Sequence, residues 1–231
     1  MNLSNISSGP LNAEDRKRNL SFIRLLYTFL TIQLLLVLVY SLVALKYWPD
    51  WTTSWWPIAL TTFILALILL LASLLVPATR KPPLNFVIYI LFTLCFAHCV
   101  SYLVCKDTSR LVLFAVWCLF AVALGYCVYS YSTSTYMKTL FSLFVVAAMC
   151  LAVFVGFLIF SKVEFIGLLM VMLGVLVFGF YLNYDVRRMV RGGALGEDDP
   201  VGGAVRVWGE SCMVFCRFVE LLGRGCCNAK L

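Results

Sequence analysis

Hydrophobic and polar positions in this chain segregate into long blocks. Six apolar runs of about twenty residues are each bounded by charges, prolines or tryptophans, and a run of that length crosses about 30 Å of hydrocarbon as a helix. The pattern predicts spans over residues 25–45, 55–76, 84–104, 111–131, 140–160 and 163–184. The first lies between Arg24 and Lys46, and the second ends at Pro77 and the pair Pro82-Pro83, which cannot continue a helix. Between the first two sit Trp48, Trp51, Trp55 and Trp56, read as an interfacial belt in a short loop rather than as a binding cage.

The polar break after the sixth run organises the last quarter of the chain. Gly192-Gly193 reads as a helix stop, and Asp199-Pro200 as the cap and first residue of a further helix. Asp185 stands before that break as the only aspartate well inside a long apolar segment, and Glu210 follows it on the next helix. At 1.5 Å per residue they lie about 10 Å and about 15 Å from the shared loop, so the two carboxyls can meet and titrate as a unit. An ionisable group at such a position is a functional-site hypothesis by default, with a structural ion pair as the plainer reading and Arg188 and Arg206 as possible partners.

The last helix carries Arg206, Glu210, Met213, Arg217, Glu220 and Arg224 on one side and Trp208, Cys212, Phe215, Val219 and Leu222 on the other. Two placements fit: an amphipathic helix lying in the interface, or insertion into the bundle with Glu210 towards a polar cavity. The expected fold is an all-α polytopic membrane bundle of six transmembrane helices plus a seventh C-terminal helix, crossing or re-entrant. Residues 1–22 form a polar cytosolic segment, 23–223 the single bundle domain and 224–231 a short basic, cysteine-containing tail.

Composition agrees. Of 231 residues 63% are hydrophobic and 13% charged, which a soluble domain of this size does not carry. The loops are too short for a soluble catalytic module, and no cleavable signal precedes the first run. The net charge of +7 resides in loops, where it sets topology and meets lipid headgroups, so nucleic acid is not an expected partner. With the N-terminus cytosolic, that side collects ten basic residues against four, which favours this orientation and predicts that Asn2, Asn5 and Asn19 stay unglycosylated.

Most of the ten cysteines, Cys95, Cys99, Cys118, Cys127 and Cys150 among them, lie in apolar runs and read as small hydrophobes. Cys226 and Cys227, beside Arg224 and Lys230, are candidates for S-palmitoylation or plain tail thiols. His98, the only histidine, lacks company for a metal site and is expected to bond a neighbouring hydroxyl or carbonyl. Gly167 and Gly174 read as a close-packing stripe.

Several stretches together resemble the transmembrane BAX inhibitor motif family, in its Lifeguard and Golgi anti-apoptotic branch. They are Phe22-Ile-Arg24-Leu-Leu-Tyr27-Thr-Phe-Leu-Thr31-Ile-Gln33, Lys81-Pro-Pro83-Leu-Asn85 with Phe92-Thr93-Leu94, and Tyr184-Asp185 with Gly192-Gly193. The resemblance implies six or seven helices, residence in the endoplasmic reticulum or Golgi, a calcium leak down its gradient and dampening of apoptosis. It implies no cofactor beyond calcium as the permeant ion, and as partners the bilayer, apoptosis regulators or calcium-release channels. The family's acidic pair falls on Asp185 and Glu210, with transient calcium possible there, Glu210 replacing an aspartate. Asp185-Val-Arg187 departs from the family's Asp-Thr-Gln, and Phe96 replaces an acidic residue that many Lifeguard members carry. Such drift suits the divergent seven-helix proteins that large betaherpesviruses encode.

Three classes of function follow: a cation leak channel gated by the carboxyl pair, a non-conducting interaction protein modulating apoptosis or trafficking, and, remotely, an intramembrane aspartyl protease. The last has the Tyr-Asp half of its signature and lacks the Gly-x-Gly-Asp half, so an enzyme is not expected. A seven-helix receptor would place its N-terminus outside, against the charge count.

Overall fold

The computed structural model describes residues 13–105, 109–133, 139–160, 165–192 and 200–209. In chain order these form α1 (Ala13–Tyr47), α2 (Pro49–Ser54), α3 (Trp56–Leu75), a 3-10 turn (Pro77–Arg80), α4 (Leu84–Cys105), α5 (Ser109–Ser132), α6 (Thr139–Phe160) and α7 (Phe165–Gly192). Residues 200–209 are helical as well, and no strand occurs among the described residues. Five helices are long and apolar enough to cross a membrane, and α6 adds the shorter apolar stretch Phe144–Ile159. The expected polytopic helical membrane bundle is therefore the observed fold.

The expected spans coincide with α1 and α3 to α7, with informative differences at their ends. The first helix begins at Ala13, ahead of the expected start at Leu25, because charged residues that favour helix extend it beyond the hydrocarbon. The tryptophan-rich stretch is no plain loop: Pro49 opens the short helix α2, while Trp48, Trp51, Trp55 and Trp56 remain more than half exposed, as an interfacial belt requires.

Burial departs from the soluble pattern on the outward faces. Leu60, Phe63, Ile64 and Leu71 of α3 face outward, and on that helix only Ala59 and Ala66 are apolar and buried. Gln33, Ser41, Thr93, Ser101, Asn183 and Asp185 are interior. Outward apolar groups meet lipid, so polar groups gain nothing there and turn inward.

Helix α1 packs chiefly on α4 and α5, α3 lies on α4, and α5 adjoins α6 and α7. Small residues allow close approach: a Cβ on Gly167 would lie 3.2 Å from Leu111, and one on Gly179 2.9 Å from Val146. The first agrees with the expected close-packing role of the sixth-span glycines.

The segment 200–209 is inserted in the bundle rather than laid on its surface. Val201, Gly203, Ala204, Val205, Val207, Trp208 and Gly209 are all buried. Gly203 sits against Phe22 and Leu26 of α1, and Gly209 against Leu70 of α3. The Trp208 ring is edge-on to Phe96 at 5.2 Å and to Phe178 at 5.7 Å. Segment 200–209 is enclosed by α1, α3, α4 and α7, with Gly202 and Arg206 only partly buried. Of the two faces expected for the last helix only Arg206 and Trp208 are described, half-buried and buried respectively, and the other members lie outside the described residues.

Candidate functional site

The end of α7 presents an inward stripe of Phe178, Gly179, Leu182, Asn183, Asp185 and Val186, spaced as one helical face, while Tyr184 between them is exposed. Asp185 is 1% exposed. Four polar side chains at this end of the bundle accompany it. Tyr27 of α1 donates its hydroxyl to Oδ1 of Asn183 at 3.3 Å. Tyr126 of α5 donates to the Gly179 carbonyl at 2.8 Å, and its ring lies 5.3 Å from that of Tyr27. Arg187, half-buried, is near enough to Tyr27 to act on it electrostatically.

Arg24 closes the neighbouring helix end. Its Nε donates to the Ser130 carbonyl at 2.9 Å and its Nη2 to the Thr133 carbonyl at 3.2 Å, while the guanidinium lies over the Tyr131 ring at 5.7 Å. These carbonyls end α5, where no helical amide remains to bond them and a cation is favoured.

Of the residues singled out from sequence, Asp185 is interior, Arg188 is exposed on α7 and Arg206 is half-buried on the central segment. Glu210, Cys226 and Cys227 lie outside the described residues. Tyr27, Tyr126, Asn183 and Arg187 were not picked out as site residues. Asn183, a second polar side chain two positions from Asp185 in an apolar run, was the signal available for them.

At the other end of the bundle His98 Nδ1 lies 3.2 Å from the Tyr40 hydroxyl, the neighbouring-hydroxyl bond expected for it. Among the described residues no group of three metal-ligating side chains gathers there. Cys95, Cys118 and Cys150 are buried free thiols. An outward groove of about 270 Å³ between α3 and α4, lined by Trp56, Leu60, Phe63, Tyr102 and Leu103, is apolar and belongs to the lipid-facing surface.

With this geometry in place, comparison with known proteins is direct. Residues 19–226 match the family described as inhibitor of apoptosis-promoting Bax1. Human protein lifeguard 3 is 21% identical over 229 residues, covering 94% of this chain and 73% of that protein. No solved structure matches. The polytopic bundle and a match across nearly its whole length together place the chain in the BAX inhibitor motif family.

Proposed function

We propose that this protein is a cation leak channel of an intracellular membrane, conducting calcium, which lowers store calcium and thereby dampens apoptosis. The observation that carries the reading is Asp185: a carboxyl 1% exposed, on the inward face of a membrane helix, at the bundle end where Tyr27, Asn183 and Tyr126 turn polar groups inward. Intramembrane carboxyls facing a bundle interior mark ion pathways. Asp185 and Glu210 form the gate. Closed, they share a proton or bond Arg188 or Arg206; open, they offer oxygens to a hard cation. The N-terminus is cytosolic and the membrane that of the endoplasmic reticulum or Golgi. Apoptosis regulators or calcium-release channels are the partners.

The test is organellar calcium content in cells expressing the native chain, Asp185→Asn, Glu210→Gln or both. Raised stores in the double variant support the reading, and native-like stores defeat it. Trp208, wedged edge-on between Phe96 and Phe178, favours a second reading in which the bundle stays closed and works by binding other membrane proteins. That reading predicts no flux from the purified protein.

A further inference from the structure

The side-chain amide of Gln33 is fully buried, and among the described residues neither its oxygen nor its nitrogen has a hydrogen-bond partner; the same holds for the indole nitrogen of Trp208. Packing puts the two groups at one depth. Helices α1 and α4 run parallel with a shift of about sixty residues, fixed by Tyr89 bonding the Phe29 carbonyl and Ser101 bonding Ser41. Gln33 is therefore level with Phe92 and Thr93. Helix α3 runs antiparallel to α4, with Thr62 against Cys99, which brings Leu70 to the same level. Gly209 sits on Leu70, so Trp208 lies within a turn of Gln33 in depth.

That depth is the middle of the membrane. Gln33 falls at the centre of the α1 span Arg18–Tyr47. Thr93 is 1% exposed and donates its hydroxyl to the Tyr89 carbonyl, which leaves its oxygen free to accept. One amide, one indole N–H and one hydroxyl oxygen thus supply both donors and acceptors where no lipid or bulk water serves them. A polar group left unsatisfied in hydrocarbon is costly, and a buried water is retained where two to four such groups converge.

We propose that Gln33, Thr93 and Trp208 form a mid-membrane water site. The indole N–H and the amide nitrogen donate to water, and the Gln33 and Thr93 oxygens accept from it. It lies between the Tyr27 and Asn183 layer, about 9 Å away along α1, and the Ser41 and Ser101 pair on the other side. Its place in the ion pathway rests on the leak-channel reading, in which the amide and hydroxyl oxygens replace part of a passing cation's hydration. The water itself does not depend on that reading.

The experiment is X-ray hydroxyl-radical footprinting of the full chain in lipid nanodiscs, read by mass spectrometry, beside calcium flux from proteoliposomes. Radicals form where water is, so Trp208 is oxidised despite its burial. Gln33→Leu lowers that labelling about tenfold and Thr93→Val lowers it less, with Trp48 and Trp51 unchanged as internal controls. An unlabelled Trp208 in the native protein, or native labelling in both variants, overturns the water site whatever the flux. Flux that survives Gln33→Leu while labelling is lost overturns its place in the pathway. A native chain without flux defeats the leak reading and leaves footprinting to decide the water site.

Discussion

The hydroxyl of Tyr27 crosses from α1 to α7 and ends 3.3 Å from Oδ1 of Asn183, two residues before the buried carboxyl of Asp185. The contact ties the first helix of the bundle to the segment that carries Asp185. Tyr27→Phe keeps the ring against Tyr126 and deletes only the donor. The expected loss is about 1 kcal/mol of stability, with the Asn183 oxygen left in the interior. Thermal unfolding in mild detergent checks the stability, and a changed calcium leak in the same variant checks the coupling to Asp185.

Arg24 supports the same end of the bundle by a different interaction. Removing its two bonds to the closing carbonyls of α5 and its stacking on Tyr131 in Arg24→Ala costs about 2 kcal/mol. Arg24→Lys recovers part of this, since an ammonium keeps the charge and loses the forked geometry. Comparing the two variants' melting temperatures separates charge from geometry.

Gly179 and Gly156 make a matched pair. A methyl at Gly179 meets Val146 at 2.9 Å and Val122 at 3.1 Å, so Gly179→Ala pushes α7 off its neighbours at about 1–3 kcal/mol. At Gly156 nothing lies within 4 Å of the added carbon, and Gly156→Ala is neutral or stabilising through helix propensity. Equal destabilisation of the two variants contradicts the packing described for α7.

Much of this architecture was legible because the bilayer dictates it: six runs of sufficient length, each ended by charge or proline, and one carboxyl standing out in α7. Which face of each helix turns inward was not. Leu26 is fully buried while Leu25 beside it is 43% exposed, and nothing in the chemistry of two leucines distinguishes them. Interior and lipid are both apolar, so the polarity contrast that orients a helix in a soluble protein is missing. Tyr27, Tyr126 and Asn183 passed unnoticed for the same reason. Of the two faces read into the last helix only Arg206 and Trp208 are described, the first half-buried and the second buried.

Topology has a direct check. A cytosolic N-terminus predicts no glycan on Asn2 or Asn5 in cells, and a glycan-dependent mass shift abolished by Asn5→Gln contradicts it. Asn19 is a poorer reporter than Asn2 or Asn5, because it lies in α1 at the start of the apolar run and is 6% exposed there.

The most direct test of the central claim is calcium flux from proteoliposomes containing the purified chain, native and Asp185→Asn, across pH about 6 to 8. The leak-channel account predicts a leak whose rate changes with pH in the native protein and is altered, with its pH dependence flattened, in Asp185→Asn. Absence of flux from folded native protein at every pH contradicts it and leaves Asp185 as a structural charge within a non-conducting bundle.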